Sequence, residues 1–400
     1  MTVRTTGRVR TASTVRLALR SDALATSLRV FVLTRILFLL LTYFGVVLFG
    51  SVLHGPHPSF LHQLLPRWGQ WDTLWYIQIA ERGYAWRKAV GTSPTAFFPL
   101  YPLLIRGGID LIHRSALTVA LLVSNLCFLA ALVYLWKLAR WEFDRAVADR
   151  TVLYIAVFPT ALFFFAGYTE SLFLLTTVAA FYYLRRRHWI LAGVFVALAG
   201  ATRVTGILLL LPLAYEYGRD HNFSLRRIDR GALGLLIAPL GLLAFMAYLK
   251  WTVGDALAFT QSQVAWQKIF TLELWRGFAA SVVQIVTLPP ASFYQAHNII
   301  NIVLGGLFLI LSVVAVRRLP ASYILYIAAF WVVTLTSPAL AGGYPVPLIS
   351  LSRYILALFP LFMIMARAGE DRAVNDTYLV LSVGMLAVFT VQFVNGGWII

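Results

Sequence analysis

The stretch AFFPLYPLLIRGGIDLIH, residues 96–113, decides how the rest of the chain is threaded. It is apolar enough to be taken for a membrane span, and counting it as one inverts the orientation of every later segment. Pro99 and Pro102 interrupt its start, and Gly107 and Gly108 its middle. Proline removes a backbone donor and clashes with the preceding turn, while glycine costs backbone entropy. The stretch therefore makes a poor uninterrupted helix of the roughly 20 residues that a hydrocarbon core of roughly 30 Å demands. It reads as an interfacial or re-entrant helix.

Outward from it, the chain is built of continuous apolar runs. Apolar residues make up 60% of the sequence and charged residues only 12%, against about 25% charged in soluble proteins. The runs do not alternate, which excludes a membrane β-barrel. Spans are expected at 28–50, 116–138, 152–167, 170–184, 189–201, 204–217, 231–250, 297–316, 322–337, 353–366 and 377–394. The expected fold is thus all-α and polytopic, with about eleven transmembrane helices. Arg35, near one end of the first run, is expected to snorkel to the interface. Residues 1–27 form a basic inside-facing tail and 28–400 a single integral-membrane domain. The tail's arginines would also suit an organellar transit peptide, but an apolar run follows directly, as in a retained signal anchor. No internal repeat supports a transporter of inverted repeats.

Charge tests this layout. The net charge of +17 would suggest nucleic acid in a soluble protein, but here it sorts with topology and no nucleic-acid partner is expected. The tail, Arg140, Arg145 and Arg150, Arg185–Arg187, Arg226, Arg227, Arg317, Arg318, Arg367 and Arg372 all fall on one side, so the positive-inside bias puts that side in the cytosol. Residues 51–115 and 251–296 then become the sizeable outer loops, the first holding interfacial helices.

Polar residues gather on the outer side. GQWDTLWYIQIAERGY (69–84) starts a helix near Asp72, where the helix dipole favours a carboxylate. Positions 72, 76, 79 and 83 share one face, so Asp72 and Tyr76 point the same way. Asp72 and Glu170 each have a plain alternative as helix N-caps. Arg203 and Arg353 oppose the inside bias, and a cation in the membrane costs roughly 2.5–3.5 kcal/mol unless paired. They either pair with Glu170 and Asp72 or bind a phosphate, which guanidinium groups grip through two hydrogen bonds. Lys268 would join such a phosphate site. Trp68, Trp71 and Trp75 either bind sugar faces or anchor the loop. Glu81 and Arg82 are expected to orient partners, with Tyr84, Tyr101 and Tyr168 lining the site. His54, His57 and His62 are too loosely spaced for a metal site, and no metal or cofactor is expected.

At this point Trp71-Asp72 with IAERGY, then AFFPLYPLL, resembles the first-loop signature of PIG-V-type mannosyltransferases and their prokaryotic relatives. FPTALFFFAGYTESLF (158–173), ATRVTG (201–206) and RYILALFPLF (353–362) continue the resemblance in order across most of the chain. It implies the GT-C class of polytopic glycosyltransferases, with a polyprenyl- or dolichyl-phosphate sugar donor and an outer-loop aspartate, here Asp72. It implies transfer of a sugar, most simply mannose, to a lipid or glycan acceptor, with inversion and Asp72 as general base. The setting would be a multi-pass protein among the lipids of a prokaryotic plasma membrane, or of the endoplasmic reticulum in a eukaryote. Trp75 stands where eukaryotic members often carry His, and Thr205 near where they carry Asn, so the resemblance does not extend to the acceptor. No Gly-rich nucleotide motif or Asp-x-Asp pair is present, as a lipid donor would allow. A lipid-linked sugar flippase and a non-catalytic subunit of another transferase would both keep the same arginines.

Overall fold

The structure, a computed structural model, describes residues 12–50, 64–84 and 94–399, with side chains from Ser21 onward. The histidines 54, 57 and 62 lie outside the described residues. Among the described residues seventeen α-helices follow one another, linked by 3-10 turns. They are α1 (Ala12–Phe49), α2 (Asp72–Arg82), α3 (Leu100–Ile112), α4 (Ala116–Glu142), α5 (Arg145–Val157) and α6 (Glu170–Arg185). Next come α7 (Trp189–Thr202), α8 (Leu210–Asp220), α9 (Leu233–Ile237), α10 (Leu240–Val253), α11 (Ala258–Gln261) and α12 (Arg276–Thr287). Last are α13 (Phe293–Val316), α14 (Ala321–Leu335), α15 (Leu351–Tyr354), α16 (Phe359–Ala368) and α17 (Arg372–Val394). Ser115, Asp144, Ser292 and Asp371 each accept a backbone N–H at the start of α4, α5, α13 and α17, which is where short polar side chains belong.

Among the described residues four helices are long and apolar enough to cross a membrane, namely Ser21–Phe49, Ala116–Glu142, Phe293–Val316 and Arg372–Val394. Two bent pairs bring the number to six. One pair, Arg230–Ile237 with Leu240–Val253, bends by 40° at Pro239, and the other, Leu351–Ala357 with Phe359–Ala368, by 87° beside Pro360. Proline has no N–H to continue the ladder, so each helix restarts there. The remaining apolar runs form shorter helices. The centre is α6, packed between α4 and α7, while α1 packs on α17 and α4.

The run expected to span 152–167 is helical only to Val157. From Phe158 to Thr169 the chain is irregular, with one 3-10 turn at Ala161–Phe164, yet wholly buried. Irregular backbone at membrane depth survives only where protein satisfies its polar groups. Here Arg35 Nη2 donates to the Phe164 carbonyl at 3.0 Å and Ser171 Oγ to the same oxygen at 3.0 Å. Asn125 Nδ2 donates to the Phe165 carbonyl at 3.2 Å and Ser124 Oγ to that of Tyr168 at 3.1 Å. This corrects the expectation for Arg35. It does not snorkel but turns inward, its guanidinium lying over the rings of Phe31 and Phe128 at 4.4 and 4.5 Å.

Residues 96–113 yield one helix, α3, of 13 residues, hence about 20 Å long and too short to cross the hydrocarbon. Tyr101, Pro102 and Ile105 are buried while Leu103 and Leu111 are exposed. In residues 251–296, α11 and α12 are joined by a segment that pairs with the chain after α14. Ile269 N donates to Pro338 O at 3.0 Å and Thr271 N to Thr336 O at 2.9 Å.

Candidate functional site

One cavity of about 540 Å³ is lined by the start of α2, the turn before α6, the turn after α7, the 262–270 segment, the loop before α15 and the end of α17. Five acidic and basic residues line it, Asp72, Glu170, Arg203, Lys268 and Arg353, so three cations face two carboxylates.

These groups form a continuous row. Arg203 Nη1 donates to Glu170 Oε1 at 2.9 Å. Arg353 Nε lies 3.4 Å from the same oxygen, and Arg353 Nη1 donates to Asp72 Oδ2 at 2.8 Å. Lys268 Nζ donates to the Tyr354 hydroxyl at 3.2 Å. The guanidinium carbons of Arg203 and Arg353 lie 5.4 and 5.5 Å from the Tyr354 ring. Neither carboxylate serves as an N-cap. Asp72 and Glu170 are the first residues of α2 and α6, and both reach across to arginines. The Glu170 side chain is only 3% exposed, and its Oε2 has no hydrogen-bond partner among the described residues.

Local backbone fixes these positions. Trp71, before Asp72, has φ 53°, Gln267, before Lys268, has φ 56°, and Ser350, three residues before Arg353, has φ 61°. Non-glycine residues rarely adopt positive φ, and such strain gathers where surrounding structure over-determines the chain. In the turn after α7, Gly206 N donates to Arg203 O at 2.9 Å. A Cβ on Gly206 would lie 2.2 Å from the Ala199 carbonyl carbon, so only glycine closes this turn without moving it. Thr160 Oγ1 donates to Ser352 O at 2.8 Å, and Asn301 Oδ1 accepts from both Ser352 N and Oγ. These bonds hold the short helix that carries Arg353.

Of the residues singled out from sequence, the cavity brings together Trp71, Asp72, Tyr76, Tyr168, Glu170, Arg203, Lys268 and Arg353. Asp72 N donates to the Tyr168 hydroxyl at 3.3 Å, and Tyr76 shares a 3.2 Å hydrogen bond with Thr169. Burial foremost, then the Asp72 carboxylate, pushes both phenols above their ordinary range, so they stay protonated. The cavity lining does not include Trp75, Glu81, Arg82, Tyr84 or Tyr101. Trp75 stacks on Phe97, Tyr84 and Tyr101 donate to the Phe97 and Ala120 carbonyls, and Glu81 and Arg82 are exposed. Trp68 is buried with its indole N–H on Thr42 and does not line the cavity. Sequence reading missed Tyr354, since a tyrosine inside an apolar run reads as packing; its only signal was adjacency to Arg353.

Fold and site together define the class, an all-helical, multi-pass membrane protein with a row of paired acids and guanidiniums in one deep cavity. The chain matches the mannosyltransferase (PIG-V) family over residues 25–261 and belongs to it. It is 27% identical to GPI mannosyltransferase 2 of Yarrowia lipolytica over 217 residues, 51% of this chain and 54% of that one. It is 30% identical to GPI alpha-1,6-mannosyltransferase 2 of Mus musculus over 219 residues, 49% of this chain and 43% of that one. The aligned region therefore spans about half the length of these relatives or less. The fold is similar to that of ArnT from Cupriavidus metallidurans in the apo state, with a TM-score of 0.50 and 15% identity over 87% of this chain and 61% of that one.

Proposed function

We propose that the chain transfers mannose from a polyprenyl- or dolichyl-phosphate donor to a hydroxyl of a lipid or glycan acceptor on the non-cytosolic face. The observation that carries this reading is the row Lys268, Arg203, Glu170, Arg353, Asp72, with three cations to two carboxylates in a largely apolar cavity. A sugar phosphodiester brings one negative charge and a lipid tail. Residues 28–400 act as one GT-C-like membrane domain, in which shorter apolar helices add to the four to six long enough to cross by themselves.

Arg203, Lys268 and Arg353 hold the phosphate. Asp72 takes the proton of the acceptor hydroxyl as its oxygen bonds to the anomeric carbon, and the bond from that carbon to the phosphate oxygen breaks with its electron pair. The guanidiniums stabilise the charge that grows on the leaving phosphate. A phosphate needs no acid to leave, so one carboxylate suffices where a glycosidase needs two. Attack opposite the leaving group inverts the anomeric centre. Because Arg353 holds Asp72 Oδ2 at 2.8 Å, the hydroxyl meets Oδ1 or replaces the guanidinium once the phosphate has drawn it away.

Asp72→Asn tests the base. Transfer from polyprenyl-phosphate mannose by the purified, folded variant should fall at least about 10²-fold, the lower bound for losing a positioned base. Retained transfer would refute it. Passage of the donor across vesicle membranes with no product would instead establish a flippase.

A further inference from the structure

The cavity has two unlike halves. Lys268, Arg203 and Tyr354 mark one, and the other lies beyond Asp72, where α17 ends. Phe393 packs against Phe163 and Tyr168, with ring centroids 6.1 and 6.2 Å apart. Tyr168 in turn takes the Asp72 N–H, and Phe163 carries the Arg353 guanidinium at 5.3 Å. After Val394 the chain reverses at Gly396, with φ 81°, and brings Trp398 and Ile399 into the cavity wall.

Trp398 is braced from behind. Gln392 Nε2 donates to its carbonyl at 2.8 Å. His297 lies parallel to its indole, 5.5 Å away with 22° between the planes. The His297 ring is itself fixed, because Nδ1 lies 2.7 Å from the Phe293 carbonyl and must donate to it. Trp398 is half-buried and Trp71 is 44% exposed, and both line the cavity.

Resting on the transfer reading above, we propose that this half is the acceptor subsite and that it takes a saccharide ring, with Trp398 as its platform. An indole face carries partial negative charge, which suits the C–H face of a pyranose, whose hydroxyls then point edgewise. The one cation that reaches this end, Arg353, is already held by Asp72 at 2.8 Å and lies 3.4 Å from Glu170 Oε1, whereas Lys268, with no carboxylate partner among the described residues, sits by Tyr354. A bare lipid alcohol would not use two tryptophans backed by a histidine and a glutamine.

The test is saturation-transfer NMR of the full chain in nanodiscs with methyl α-D-mannopyranoside. The ring protons should be saturated by the wild type. The effect should drop at least threefold in Trp398→Ala and recover mostly in Trp398→Phe, which keeps an aromatic face. No saturation by the wild type, or an equal effect in folded Trp398→Ala, would overturn the subsite. An Asp72→Asn variant that still transfers mannose would sink the base and leave the sugar-binding result standing, so the two failures are distinguishable.

Discussion

Glu170 makes the clearest case for a residue that holds the site open for its ligand. Its carboxylate is almost wholly buried and shared between Arg203 and Arg353, so removing its charge strands Arg203 and leaves Arg353 to Asp72 alone. Breaking a buried pair costs roughly 3–5 kcal/mol; Arg203 is partly solvated, which puts Glu170→Gln near the lower end. Melting of the purified variant should show that loss, and polyprenyl phosphate should raise its melting temperature more than it does for the wild type, since an anion then replaces the missing one. Equal protection of both proteins would mean that the arginines do not meet the phosphate. At this scale the sequence was informative wherever a charge opposed its surroundings. Arg203, Arg353, Glu170 and Asp72 stood out because an ion in an apolar run requires a counter-ion. Glu81 and Arg82 carried no such contradiction, and nothing in the residues themselves said that their side of α2 faces away.

Elements were legible where apolar length and caps agree, as in α4, α13 and α17. They were less so where a run breaks under tertiary control. Hydropathy makes 152–167 a span, yet the chain leaves the helix at Val157 because Arg35, Asn125 and Ser124 accept the task of satisfying its backbone. The same partners lie far away in sequence, so no local pattern reveals them. The turn after α7 offers a test at this scale. Gly206→Ala places a methyl carbon 2.2 Å from the Ala199 carbonyl carbon and 2.4 Å from Gly200 N, both backbone atoms that cannot swing aside. The turn has to shift and carry Arg203 with it. Gly206→Ala should therefore raise KM for the polyprenyl-phosphate donor about as much as Arg203→Ala does, measured at saturating acceptor. A donor KM equal to that of the wild type would show that Arg203 does not depend on this turn.

Across the whole molecule, charge lies in two layers at the ends of α6. Glu170 begins the helix beside the cavity, and Arg185 ends it in a second cluster with Glu142 and Glu216, at 2.7 and 3.4 Å. The rise of 1.5 Å per residue from Glu170 to Arg185 separates the layers by about 23 Å, most of a hydrocarbon core. The second layer carries the exposed Arg186 and Arg187; on the proposed topology the positive-inside bias puts it in the cytosol and the cavity on the other side. Impermeant maleimide decides this in intact cells or sealed vesicles of known orientation. On a Cys127→Ser background, Thr260→Cys, exposed at the cavity wall, should react from outside, and polyprenyl phosphate should slow it. Arg186→Cys should react only after permeabilisation. The reverse pattern would place Asp72 in the cytosol, where a donor presented on the far face never meets it, and the transfer reading would fall with the topology.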